Sequence, residues 1–215
     1  MPVMTPEQRI RRIAKPLVFA LSLTPLAWLA WTASTAGLGA NPIEATNRFL
    51  GDWALRFLLI TLALTPVRGL TGWVVLIRFR RMLGLFAFTY VVLHLSSYVV
   101  LDQFFDWREI WADIVKRRYI TVGMISFSLL VPLAVTSTKG MVKRLGAERW
   151  KKLHRLVYLI GCGGVFHFFM MVKADVREPL IYAAVLALLL GYRVVAAMRR
   201  RTARGRRRAP RVQPV

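Results

Sequence analysis

Residues 78–99 read RFRRMLGLFAFTYVVLHLSSYV. Three arginines open the stretch, and the apolar run behind them carries a single histidine, His94. From Met82 the run continues to Leu101, close to the ~20 residues that a bilayer core demands of a helix. Five more such runs flank it, at Leu17–Ala36, Trp53–Arg68, Ile120–Thr138, Leu153–Val172 and Pro179–Met198. Lipid satisfies no backbone amide, and the runs are too long and continuous for barrel strands, so all six are expected to be helices. The second is the shortest, and the apolar Trp73–Ile77 is available to extend it. The expected fold is an all-α integral membrane protein. One six-helix bundle (17–198) lies between a short N-terminus (1–16) and a basic tail (199–215).

Composition agrees. The chain is 56% hydrophobic yet carries a formal charge of +22, too apolar for a soluble nucleic-acid binder and suited to a polytopic protein with basic loops. The first run has the basic start of a signal peptide, but no A-x-A site follows cleanly. The lone Cys162, among Gly161, Gly163 and Gly164, reads as a small packing residue.

Charge placement predicts the orientation. With the N-terminus in the cytoplasm, the inner segments hold 24 of the 32 basic residues and only Glu7 and Glu148 among the acids. The outer segments hold eight basic and eight acidic residues. The whole excess is thus inside, as the positive-inside rule requires, with both termini cytoplasmic. Lys116, Arg117 and Arg118 fall outside but are balanced by Asp102, Asp106, Glu109 and Asp113. Trp107 and Trp111, four apart in that loop, suggest a short surface helix, either an interfacial anchor or a docking surface. The tail from Arg199 to Arg211 follows a membrane helix directly, so its expected partner is anionic membrane lipid and not nucleic acid. No inner loop is long enough for a nucleotide-binding fold, and none carries a glycine-rich phosphate loop.

His94, His154 and His167 are the only histidines, and all lie within or at the edge of predicted spans. Ionisable side chains are costly there and usually face a bundle interior with a function. His94 is about 18 Å and His167 about 21 Å from the inner ends of the third and fifth helices, both of which run outward. The two are therefore at one level, on helices that can face each other. Two imidazoles so placed suit the axial positions of a b-type haem iron. The three glycines before His167 are expected to leave space for the macrocycle. His154 lies about 20 Å further in, the spacing of two stacked haems, but no second histidine shares its level. Thirteen residues also put the two rings on different faces, which a distortion at the glycines or a tilted inner cofactor must reconcile. Zinc hydrolysis, a Ser-His-Asp triad and a proton-coupled transporter each lack the intramembrane ligands or carboxylates they need.

Six helices with His94 on the third and His154 and His167 on the fifth resemble the ferric-reductase transmembrane domain family. More closely, GDWALRFLLITLALTPVRGLTG (51–72), the opening stretch, TSTKGMVKRLGAERWKKLHRLVYLI (136–160) and FHFFMMVKADVREPLIYA (166–183) resemble the haem-bearing membrane subunits of bacterial MsrPQ systems. The resemblance implies a multi-pass protein of the inner membrane with haem b and FMN. It implies electrons taken from the quinone pool or a cytosolic flavin reductase. Their destination would be MsrP, a periplasmic molybdopterin enzyme that repairs methionine sulfoxide in oxidised proteins. The chain would be an electron-transfer subunit and not itself the enzyme. The alternative is a stand-alone membrane reductase of metal ions or oxygen. One or two haems would be held by His94, His167 and His154. Arg78, Arg80, Arg81, Lys151, Lys152 and Arg155 flank His154 and suit a flavin phosphate or haem propionates, with Arg80 and Arg81 the preferred pair. Arg56 either serves an outer propionate or snorkels.

Overall fold

The computed structural model describes residues 5–35, 37–172 and 174–208; the beginning and end of the expected N-terminus and tail, and Ala36, lie outside them. No strand occurs among the described residues. Among the described residues, six helices are long and apolar enough to cross a membrane: Pro6–Thr35, Pro42–Thr71, Val74–Asp102, Arg118–Val135, Ala147–Met171 and Arg177–Ala203. They are called the first to sixth spans. An even number of crossings puts both ends of the bundle's chain on one side, the terminal end; the opposite side is the Trp107 end.

The second span departs most from expectation. It does not gain Trp73–Ile77; it gains eleven residues at its start. Asn41 accepts the Glu44 N–H at 3.1 Å and Pro42 stands at the first helical position, so the helix begins well before the apolar run. It stops at Gly72, whose φ of 74° ends the helix in the left-handed conformation. Val74–Phe79 then forms a 3₁₀ helix that opens the third span.

Core positions cluster on the second span, where Leu50, Ala54, Leu55, Phe57, Leu58 and Leu62 are buried. The second and third spans pack along their length, as do the fourth and fifth. The first and sixth lie outside these two pairs. Helices in lipid associate through close packing, since leaving lipid brings no hydrophobic gain. Tyr90, fully buried, ties the first span in by donating to the Ser22 carbonyl at 2.9 Å. The exposed Leu17, Phe19, Trp28, Leu188 and Val194 are the lipid-facing surface.

Prolines within the spans free carbonyls four residues earlier, and two of these find other donors. Pro25 frees Leu21, which receives the Thr24 hydroxyl at 2.8 Å. Pro66 frees Leu62, which receives the Arg193 guanidinium from the sixth span. At the Trp107 end the expected surface helix is present as Trp107–Lys116, capped by Asp106. Its Ile110 and Asp113 face inward, while Trp107, Trp111 and Val115 are exposed. Asp113 is held by the Tyr98 hydroxyl and by Arg117, both at 2.9 Å.

Candidate functional site

His94 and His167 meet across the bundle. Their ring centres are 6.2 Å apart and their planes stand at 83°. The third and fifth spans that carry them barely approach each other as backbones. Each instead packs on its own neighbour, the second and the fourth. The rings therefore project into the seam between two helix pairs, as depth matching predicted.

Both rings are held the same way. His94 Nδ1 lies 2.9 Å from the carbonyl of Asn47 on the second span, and His167 Nδ1 lies 2.6 Å from the carbonyl of Tyr119 on the fourth. A carbonyl can only accept, so each Nδ1 carries the proton and each Nε2 presents a lone pair. That is the arrangement of a metal-binding imidazole, oriented through its second nitrogen. Two imidazole nitrogens about 2 Å from one metal, with ring centres about 1 Å behind them, give centres roughly 6 Å apart. The observed separation fits a shared axial pair. Among the described residues no group of three or more His, Cys, Asp or Glu is placed to hold a metal, so the donor set suits an ion whose remaining ligands come from a macrocycle. Asn47 adds a second tie, its side-chain amide donating to the His94 carbonyl at 3.2 Å and to Ser97 Oγ at 2.9 Å.

His154 sits alone towards the terminal end. Its Nδ1 bonds the Trp150 carbonyl of its own helix at 3.0 Å, and its ring stacks on Trp150 at 3.8 Å. Trp150 is itself anchored, donating from Nε1 to the Thr136 carbonyl at 2.9 Å. The Nε2 of His154 is buried without a hydrogen-bond partner of good geometry among the described groups, with the Leu133 main chain close to the ring. An orphaned buried donor or acceptor costs about 1–3 kcal/mol, so this nitrogen is poised for a ligand. The fifth span does break between His154 and His167, but at Arg155, between helical segments Ala147–His154 and Leu156–Met171. The glycines lie in regular helix. They also do not open onto a cavity: a Cβ at Gly161 would meet Leu186 and Leu62, one at Gly163 would strike Ser126, and one at Gly164 would meet Leu55. They are positions on the fifth span at its contacts with the sixth, second and fourth.

The expected cations separate. Arg80 is half-buried and near enough for its charge to act on both His154 and Arg193. Arg81, Lys152 and Arg155 are exposed. Arg78 pairs with Glu7 and Lys151 with Glu148, both at 3.2 Å. Arg56, towards the Trp107 end, is held by neighbouring side chains. It donates to the Tyr182 hydroxyl at 2.7 Å, lies over Trp53 at 5.0 Å and is 3.9 Å from Glu178. Arg193, one of the basic residues of the terminal end, braces the bundle. It stands over Tyr158 at 5.4 Å and crosses to the Leu62 carbonyl. The signal that could have found it is Pro66, four residues after Leu62.

Residues 50–165 match the family described as ferric reductase like transmembrane component. The chain is 60% identical to a Rhodospirillum rubrum protein named protein-methionine-sulfoxide reductase heme-binding subunit MsrQ, over 93% of this chain and 94% of that one. It is 54% identical to the Caulobacter vibrioides protein of that name, over 83% and 85% of the two chains. It is 49% identical to the Xanthomonas oryzae one, over 92% and 93%.

Proposed function

The chain belongs to the ferric reductase like transmembrane family, as a relative of its haem-binding MsrQ subunits, and from that premise we propose that His94 and His167 are the axial ligands of a haem b through which it passes electrons across the inner membrane. The observation that carries the reading is the facing pair of imidazoles, both with Nδ1 bound to carbonyls and Nε2 free, at the spacing of two ligands on one iron. A bound haem supplies a one-electron couple in a medium where free charge is unaffordable. The residues fix where that couple sits. Asn47 and Tyr119 hold the two tautomers, and the apolar core around Phe57, Phe86 and Tyr90 excludes water from the electron path.

The one-sided distribution of the +22 charge supports a cytoplasmic terminal end and a periplasmic Trp107 end. Electrons then enter near His154, from the quinone pool or a cytosolic flavin reductase, and leave near His94 and His167. The acceptor at the Trp107 end is a periplasmic molybdopterin reductase, MsrP, that repairs methionine sulfoxide; in this division of labour the substrate chemistry is the partner's. The orphaned Nε2 of His154 supports a second haem ligated there, and Arg80 beside it suits a propionate or the phosphate of FMN. The basic tail is proposed to rest on anionic lipid.

Two measurements test this. A reduced-minus-oxidised spectrum of the purified full-length protein, quantified as haem per chain, should show a low-spin b-type signal; a haem-free protein overturns the reading. A reporter fused after Arg211 should act as cytoplasmic and one inserted near Trp107 as periplasmic, and the reverse result would invert the proposed direction.

A further inference from the structure

Each ligand histidine leans on a helix carbonyl that is already in use. The Asn47 carbonyl belongs to the second span, which bonds it to the N–H four residues on, at position 51; the Tyr119 carbonyl is bonded likewise to position 123. The second lone pair of such a carbonyl is free, but a side chain four residues further on normally covers it, because helical side chains tilt towards the N-terminus. At both places that residue is glycine. A Cβ on Gly51 would stand 3.1 Å from Nδ1 and 3.1 Å from Cε1 of His94. A Cβ on Gly123 would stand 3.0 Å from Nδ1 and 3.1 Å from Cε1 of His167. The same device, a carbonyl with a glycine one turn on, occurs on two different helices, and each time the missing Cβ is replaced by the edge of a ligand ring.

We infer that Gly51 and Gly123 are positioning residues for the axial ligands: each lets an imidazole drop onto the helix carbonyl one turn before it, and together they set the ring planes nearly perpendicular. The inference rests on the proposed haem ligation. A methyl group at either position pushes the ring off its carbonyl, weakening the Nδ1–H bond and turning the ring about its metal bond. The bond to the carbonyl raises the basicity of the ligand and favours the ferric state, so weakening it raises the midpoint potential.

The unmodified full-length protein is examined first by EPR in its ferric form. Near-perpendicular imidazole planes give a highly anisotropic low-spin signal dominated by one large g value; a rhombic signal of parallel planes from the His94–His167 site overturns the inference. Gly51→Ala and Gly123→Ala are then purified with haem. Each should move that g value and raise the potential of that site alone, whereas Gly164→Ala, whose Cβ would meet only Leu55 at 3.5 Å, should leave both unchanged. Alanine variants with wild-type g values and potentials overturn the inference even where haem ligation stands. Absence of haem from the unmodified protein would instead defeat the proposed function beneath it. If the alanine variants do not accumulate, the ferric spectrum of the unmodified protein decides.

Discussion

The two ends of the bundle hold their histidines by opposite strategies. His94 and His167 are oriented by carbonyls on neighbouring helices, so each ring is a cross-brace between spans, and the pair exists only when four helices are assembled. His154 is oriented by the carbonyl of Trp150, four residues back on its own helix, and by stacking on that residue's ring. Its ring is set within its own helix, and one bond from Trp150 to the Thr136 carbonyl ties that helix to the end of the fourth span. Its free nitrogen faces no second imidazole but lies near Arg80. A site built between helices fixes both ligand separation and ring angle, whereas a site built on one helix fixes only the ring. The first suits a cofactor that must not move, the second a place where electrons arrive from outside.

The comparison predicts its own largest break. Either His94→Ala or His167→Ala should remove the low-spin haem of the Trp107 end completely and stop electron delivery to the acceptor, because one imidazole cannot hold the iron as two do. Haem count, low-spin spectrum and acceptor reduction are the readouts; retention of all three in both variants would show that the pair is not the ligand set. His154→Ala should act differently. The pair keeps its haem, but reduction by the cytoplasmic donor slows, since the remaining gap of about 20 Å along the helix is long for a single jump. A fall in haem per chain would assign His154 to a second haem, and an unchanged count with slowed reduction would assign it to a flavin or propionate contact. Normal count and normal kinetics would leave it an ordinary interfacial residue.

Why one end was readable and the other less so follows from what a sequence encodes. Helix rise is constant, so counting residues from the ends of two spans placed His94 and His167 at one level without knowledge of the packing. The carbonyls that hold them have no signature, since every residue carries one; only the glycines one turn on leave a trace, and it is legible only once the partner ring is known. The spans themselves were found from hydropathy, but the second was cut short because Asn47, Arg48 and Asp52 interrupt the apolar run. Hydrogen bonding and capping carried the helix through them. The glycines before His167 misled for a related reason. Small residues in membrane helices serve close helix contact as readily as cofactor space, and here they serve contact. The break at Arg155 was equally silent, because no proline or glycine marks it.

A smaller effect separates cofactor holding from bundle holding. Arg193→Leu should leave the Leu62 carbonyl, already deprived of an N–H by Pro66, without a partner, at a cost of about 1–3 kcal/mol. Arg193→Lys should recover part of it with a single donor. Thermal unfolding in detergent measures the loss. The low-spin spectrum of the pair should be untouched, because Arg193 braces the second span against the sixth near the terminal end. A spectral change in Arg193→Leu would mean that the two ends are coupled through the second span, and the contrast between them would need revision.

The smallest expected effect is the sharpest test of how the pair is held. Asn47 touches the His94 segment twice: its main-chain carbonyl takes the ring proton, and its side-chain amide reaches the His94 carbonyl and Ser97. Asn47→Ala deletes the second contact and keeps the first. Ser97 still donates to the His94 carbonyl at 2.8 Å, so no backbone group is stranded. The loss should therefore be one ordinary interhelical hydrogen-bonding group, about 1 kcal/mol, and hydrogen bonds between membrane helices average nearer 0.6. For a chain of this size that is a melting temperature lower by about 2–4 °C. Haem content, g values and potential should stay at wild type, because the carbonyl that orients the ring belongs to the backbone and survives any side-chain change. Should Asn47→Ala shift the potential as Gly51→Ala is expected to, the ring would be governed by the side-chain amide and not by the helix carbonyl, and the likeness between the seats of His94 and His167 would fail, since Tyr119 offers His167 no such amide.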